Sequence, residues 1–367
     1  MSLPEYLKCQ IAAETEFLTV PGDFVLENGE RLQDIEIAYR TWGDPANAEQ
    51  NAILICHALT GSSDVEAWWP NIIGDGKAFD PLYDYIICAN ILGSCYGTTG
   101  PASIKPGFDE RYRADFPRIS VRDMVEVQRI LLDELGVEHV ELVTGPSLGG
   151  MQALEWAISY PERVGSVVPI GVGGRHSAWC IGISEAQRAA IATDPNWNGG
   201  YYSDDLPPTN GLAAARMMAV CTYRSWQSFD QRFGREHQSD DQYQVQSYLR
   251  HQGAKINDRF DANTYVTLTH AMHTHDVSRG RGNYEDILRS IAQPALVVSV
   301  STDALYPPEE QQVLVDLLPA ARYEILDSAH GHDGFLIETD DLGKKIARFR
   351  AANRSTAKLR VASSGSE

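Results

Sequence analysis

Between an apolar run and a helical pattern, the stretch Val140-Glu141-Leu142-Val143-Thr144-Gly145-Pro146-Ser147-Leu148-Gly149-Gly150-Met151 sets one serine inside a G-x-S-x-G pentapeptide. A strand that turns at once into a helix holds its turn residue in a strained conformation. The residues two before and two after it must then be tiny, or the backbones collide. Gly145 and Gly149 meet that need. Such a turn lifts the Ser147 hydroxyl to the positive end of a helix, where developing negative charge is stabilised. The strand–turn–helix context is what separates a nucleophile elbow from an incidental pentapeptide.

A serine hydroxyl is a weak nucleophile at neutral pH and needs a base, itself oriented by a carboxylate. Downstream, an apolar run at 295–299 leads into Ser301-Thr302-Asp303, and a second run at 322–326 leads into Asp327-Ser328-Ala329-His330-Gly331-His332-Asp333. Both loops follow strand ends and face the same rim, so Asp303 is the expected acid. Spacing leaves His330 and His332 both open as the base. An oxyanion hole needs backbone N–H groups, one from the residue after the nucleophile and one from an earlier strand–loop junction. Leu148 is the first, and Leu59, in the loop His57-Ala58-Leu59-Thr60-Gly61, is the second. His57 precedes the nucleophile and reads as a loop-shaping residue. The cluster His270-x-x-His273-x-His275 has metal-like spacing without an activating carboxylate in a defined context, so no metal site is expected.

Apolar runs at 35–40, 52–57, 85–90, 140–144, 166–170, 295–299 and 322–326 read as strands, most of them continuous as in strands covered on both faces. Helical patterns at 120–135 and 150–159 lie between them, and strand alternating with helix argues a mostly parallel sheet. From 173 to 294 that rhythm gives way to helical patterns at 184–193, 211–225, 240–253 and 263–272. The expected organisation is a sheet domain in two parts, 1–172 and 295–352, with a helical lid inserted at 173–294 and a frayed tail at 353–367.

The 367 residues carry 43% hydrophobic content, enough for a large core, and 31 basic against 50 acidic side chains give a formal charge of −19. A chain this acidic is repelled by nucleic acid and by anionic membranes. No run approaches the ~18 apolar residues of a membrane helix, and the opening MSLPEYLKCQ lacks the basic and apolar regions of an export signal. The six cysteines are scattered without a CxxC pair, as in a reducing compartment. A cytoplasmic protein is expected.

The elbow with its continuation Gln152-Ala153-Leu154-Glu155-Trp156-Ala157 resembles that of the homoserine O-acetyltransferase family. So do the loop His57-Ala58-Leu59-Thr60-Gly61-Ser62-Ser63-Asp64 and the segment Asn90-Ile91-Leu92-Gly93-Ser94-Cys95-Tyr96-Gly97-Thr98-Thr99-Gly100-Pro101. The lid segments Arg175-His176-Ser177-Ala178-Trp179-Cys180 and Thr222-Tyr223-Arg224-Ser225 are similar too, and the likeness runs from about residue 15 to 350. The resemblance implies an α/β-hydrolase fold, that is, a mostly parallel sheet flanked by helices with an inserted helical lid. It also implies transfer of an acyl group from acetyl-CoA through Ser147 to the hydroxyl of L-homoserine, in methionine biosynthesis, with no further cofactor. The family's Gly-His-Asp motif falls on Gly331-His332-Asp333, which makes His332 the base. Arg216 would then pair with the amino-acid carboxylate, Tyr223 would lie nearby and Asp333 would hold the α-amino group.

The resemblance further implies a homodimer built through the lid, for which Trp197, Tyr201, Tyr202, Met217 and Trp226 are candidate contacts. Leu148 stands where many of these acetyltransferases carry Met, and Leu also occurs in members that prefer succinyl-CoA. Acetyl- or succinyl-CoA as donor, and L-homoserine or L-serine as acceptor, therefore stay open at this stage. An esterase or thioesterase using the same triad on water is the nearest alternative. Because CoA is a polyphosphate approaching an acidic protein, a local basic minority is expected at the mouth, from Arg175, Arg216, Arg224 and Arg279.

Overall fold

The chain alternates strand and helix in the computed structural model, which describes residues 3–364. The strands of the first half are β1 (Glu16–Val25), β2 (Arg31–Trp42), β3 (Ala52–Ile55), β4 (Tyr85–Ala89), β5 (Leu142–Pro146) and β6 (Val167–Ile170). A two-stranded hairpin, β7 (His237–Ser239) with β8 (Gln242–Tyr243), belongs to the lid, and β9 (Ala295–Val300) and β10 (Ala321–Leu326) complete the sheet. The eight-stranded sheet has the order β1-β2-β4-β3-β5-β6-β9-β10. Its first two pairings are antiparallel and the rest are parallel.

Side chains in a strand alternate between faces, and here both faces are covered. Leu54, Ile87, Val143 and Val297 point into one apolar layer, where α1 (Val121–Glu134) and α2 (Leu148–Ser159) contribute Leu131 and Leu154. Ile53, Ile86, Leu142 and Val298 point into the other, against Leu342 and Phe349. That double burial is why the strands read as continuous apolar runs. Helix α1 begins on a capping box: Asp123 N–H donates to the Ser120 hydroxyl at 3.2 Å, and Ser120 N–H to the Asp123 carboxylate at 2.7 Å.

Between β6 and β9 lie α3 (Ala178–Ala192), α4 (Thr209–Tyr223), α5 (Trp226–Phe233), α6 (Gln244–Asn257) and α7 (Ala262–His273). The helix read at 240–253 starts later, because Asp240 and Asp241 turn the hairpin and only Gln244 opens the helix. The strand read at 140–144 is displaced toward the elbow, since Gly145 and Pro146 pair with Pro169 and Ile170. β1 has no counterpart among the strands read from sequence. It lies at the sheet edge and its residues are mostly exposed, so no apolar run marks it.

After β9 come α8 (Pro308–Leu317) and, last, α9 (Thr339–Ser364). The stretch read as a tail is helical as far as Ser364, in keeping with helix formers such as Ala351, Ala352, Arg354, Ala357, Lys358 and Leu359. The final residues of that tail lie outside those described. Among the described residues, no helix is long and apolar enough to cross a membrane.

Candidate active site

Ser147 sits at the junction of β5 and α2 with φ 54° and ψ −119°, a backbone conformation that costs energy for a residue with a Cβ. It is held there on both sides. Its N–H donates to the Ile170 carbonyl at 2.8 Å, and its own carbonyl accepts from Met151 N–H at 3.1 Å. The glycines at −2 and +2 are needed for close approach: a Cβ on Gly145 would stand 2.3 Å, and on Gly149 2.0 Å, from the Cys56 carbonyl oxygen.

Beneath the elbow, a buried polar chain locks the nucleophile helix to its neighbours. Gln152 donates to the Leu148 carbonyl at 3.1 Å and accepts from Gln128 at 2.7 Å, while the Trp156 indole N–H donates to Gln128 at 2.7 Å. Each amide in the chain thus has a partner in an otherwise apolar layer.

Asp303 lies just past β9, and its two oxygens have separate tasks. Oδ1 accepts from the N–H groups of Leu305 and Tyr306, both at 2.9 Å, and Oδ2 lies 2.6 Å from His332 Nδ1. The His332 proton facing the carboxylate is therefore on Nδ1. Nε2 is buried and has no hydrogen-bond partner among the described residues, so its lone pair is free to act as a base. His332 and Ser147 meet the same segment, since Ile170 holds the Ser147 N–H and a Cβ on Gly171 would stand 3.3 Å from His332 Cε1. His330 is turned elsewhere, with Nδ1 at 3.2 Å from the Ser228 hydroxyl and 3.4 Å from Arg224. The geometry thus joins Asp303 to His332 and leaves His330 outside the pair.

The N–H groups of Leu59 and Leu148 have no acceptor among the described residues, as donors reserved for an oxyanion require. His57 shapes the Leu59 loop: Nε2 accepts from Ile91 N–H at 3.1 Å and Nδ1 bonds the Ala58 carbonyl at 2.8 Å. Burial pushes the pKa of His57 down to about 4, which keeps the ring neutral.

Lid residues close over this centre. Arg216, on α4, has its guanidinium 5.5 Å from the centre of the Tyr223 ring and no ion-pair partner among the described residues. The Tyr223 ring is 5.9 Å from that of His332. Asp333 pairs with Arg224 at 3.0 Å; burial raises its pKa, and the charges of Arg224 and Arg216 oppose that rise. Arg279 is committed to Glu27 at 2.8 Å, so of the four expected basic residues only Arg175 and Arg216 lack a carboxylate partner among those described.

A small cavity close to His332 is bordered by Leu59, Tyr223, Leu305, Tyr306 and His176. Sequence reasoning assigned no role to Tyr306 or His176. The Tyr306 ring lies tilted, with its centre 5.2 Å from that of His332, and its hydroxyl lies 3.0 Å from His176 Nδ1. The position of Tyr306 three residues past Asp303 was the available signal.

The histidine cluster is divided among separate contacts: His273 stacks on His176 at 5.6 Å, and His275 Nε2 bonds the Gly173 carbonyl at 2.8 Å. Among the proposed lid-surface residues, Tyr202 is buried with its hydroxyl on Asp261, and Trp197 packs against it at 5.8 Å. Their apolar area is spent inside the lid. Tyr201 and Trp226 are exposed.

The strand order, the elbow and the acid and base loops after β9 and β10 together define an α/β-hydrolase-fold protein, and the family model for that fold matches residues 51–339. A homoserine O-acetyltransferase from Nostoc punctiforme is 54% identical over 341 residues, covering 92% of this chain and 96% of that protein. The homoserine O-acetyltransferase of Bacillus anthracis superposes with a TM-score of 0.85 at 25% identity, covering 92% of this chain and 97% of that one. Esterase E22 superposes with a TM-score of 0.86 at 29% identity, covering 92% and 99%. The chain belongs to the homoserine O-acetyltransferase family, a family of acyltransferases.

Proposed function

We propose that the protein transfers an acetyl group from acetyl-CoA to the hydroxyl of L-homoserine by a two-step exchange through Ser147. The observation that carries this reading is the Asp303–His332 pair, with His332 Nε2 left free, beside an elbow serine in a chain 54% identical to a homoserine O-acetyltransferase. In the first step His332 takes the Ser147 proton, Ser147 attacks the thioester carbon, and the oxyanion rests on the N–H groups of Leu59 and Leu148. CoA then leaves with the proton from His332. In the second step His332 deprotonates the L-homoserine hydroxyl, which attacks the acyl-enzyme and restores Ser147.

Water is the competing acceptor. Arg216 on the substrate carboxylate and Asp333 on its ammonium would hold the correct hydroxyl in place by proximity. O-acetyl-L-homoserine would then feed methionine biosynthesis, and six free cysteines suit a reducing cytoplasm. Homodimerisation through the lid, which the family resemblance implies, is supported by the exposed side chains of Trp226 and Tyr201, while Met217 is only partly exposed and packs toward Gly253.

Intact-protein mass spectrometry with acetyl-CoA tests the reading. The unaltered enzyme is expected to gain one acetyl group that L-homoserine discharges, and Ser147→Ala to gain none. An adduct on Ser147→Ala, or CoA release indifferent to L-homoserine, would contradict it, the second result marking a hydrolase of the kind esterase E22 is named for.

A further inference from the structure

Away from the triad, a cavity of about 360 Å³ lies between the loop that follows β6 and the first turns of α8. This is within the ~300–1,000 Å³ range of small-molecule sites. Its wall includes Gly173, Gly174, Arg175, Tyr284, Glu310 and Val313, of which only Arg175 was expected near the CoA mouth.

Two opposite charges face this space without meeting. Neither Arg175 nor Glu310 forms an ion pair among the described residues, although both line the same cavity. The Arg175 guanidinium lies over the Tyr284 ring, 3.7 Å from its centre, and also hydrogen-bonds the Tyr284 hydroxyl, while its charge helps hold the Asp276 carboxyl down. Glu310 Oε2 is buried and receives no hydrogen bond. Burial raises the Glu310 pKa, the Ser177 hydroxyl offsets part of that rise, and the negative Asp303 adds to it. Two glycines keep the space open: a Cβ on Gly174 would stand 2.4 Å from the Tyr284 hydroxyl, and on Gly173 3.0 Å from Glu310 Oε2.

A buried carboxylate oxygen without a donor is costly, whereas Arg175 is exposed and brings its positive charge to the same space without a carboxylate in ion-pair contact. A free anion would satisfy Arg175 and be repelled by Glu310. A free cation would do the reverse. A molecule that carries both charges a few bonds apart satisfies both at once.

We propose that this cavity is a second binding site, for a zwitterionic α-amino acid whose carboxylate meets Arg175, whose ammonium meets Glu310, and whose short uncharged side chain lies against Val313 and Tyr284. Occupancy would be felt at the triad, because Gly173 is two residues from Gly171, against which His332 packs. The proposal uses none of the residues that carry the acyl-transfer steps, and it assigns Arg175, expected from the sequence near the CoA mouth, to this cavity instead.

L-norvaline is a suitable probe, since it has both α charges, an aliphatic side chain and no hydroxyl to acylate. Titration calorimetry into an Arg216→Gln variant, whose proposed acceptor site is disabled, is expected to show one binding event. Glu310→Gln and Arg175→Gln in that background should each weaken it by about tenfold or more, the loss of one charge-assisted hydrogen bond. Pentanoate and butan-1-amine, each lacking one of the two charges, should bind at least about tenfold more weakly than L-norvaline for the same reason. In the unaltered protein, Glu310→Gln should remove one bound equivalent, a readout that does not depend on how Arg216→Gln folds. Absence of that equivalent, indifference to both substitutions, or pentanoate binding as tightly as L-norvaline would overturn the proposal.

Discussion

Asp303 holds its position through two backbone N–H groups on one oxygen and orients His332 with the other, so the carboxylate and the imidazole are fixed relative to each other. Arg216 is the opposite case, a partly buried guanidinium whose fork has no carboxylate in the described protein. On the proposed reading, the carboxylate of the acceptor would complete it. Replacing Arg216 by Gln is therefore expected to raise the KM for L-homoserine by roughly a hundredfold, the loss of a charged bidentate contact, while acetyl-enzyme formation from acetyl-CoA keeps its rate. Rapid-quench measurement of the first step beside steady-state KM checks this, and equal losses in both steps would remove Arg216 from acceptor binding. At this scale the sequence carried far. Ser147, Asp303 and the two glycines follow from motif and strand ends, whereas spacing left His330 and His332 both open; the family resemblance pointed to His332, and it is the His332 ring that reaches a carboxylate 29 residues away in the chain.

The nucleophile helix owes its setting to side chains that no local pattern pairs. Gln128 on α1 and Gln152 on α2 read as polar interruptions in two apolar stripes, yet they meet across 24 residues and tie Leu148 and Trp156 into one buried chain. Substituting Gln152 by Leu takes the acceptor from Gln128 Nε2, and the expected cost is about 1–3 kcal/mol of unfolding free energy. Urea denaturation reads it; an unchanged midpoint would mean that the chain of amides is slack. The other elements missed in the sequence share a physical cause with this one. β1 is an exposed edge strand paired only with β2, and the β7–β8 hairpin is set by a two-aspartate turn, so neither buries enough apolar surface to imprint a period. The central strands, buried on both faces, were legible because burial leaves mostly apolar residues there, with hydrogen-bonded exceptions such as Thr144 and Ser299.

For the molecule as a whole, the buried histidines set a limit on acid tolerance. Burial lowers the pKa of His57 to about 4 and of His176 to about 3, with neighbouring His275, His273 and Arg188 adding to the effect at His176. The unfolded chain binds these protons near pH ~6.5 while the native protein does not, so stability falls as pH drops from ~6.5 toward the folded values. Each of the two rings should cost on the order of 2 kcal/mol between about pH 7 and about pH 5. Urea midpoints at those two values should differ, lower in acid; equal midpoints would show that the rings are accessible to protons in the native state.

The order of the strands in the chain also has a temporal side. The nucleophile follows β5, but the acid and base follow β9 and β10, which pair beside β6 only after the whole lid has been made. A nascent chain that has left the ribosome as far as the lid already carries its strained serine, without the imidazole that would make it reactive. At ~5–20 residues per second the separation between Ser147 and His332 corresponds to roughly ten seconds or more of synthesis. On the proposed reading, the late position of the base would keep the growing polypeptide chemically silent toward acyl thioesters until nearly the whole sequence that shields and steers the reaction is in place.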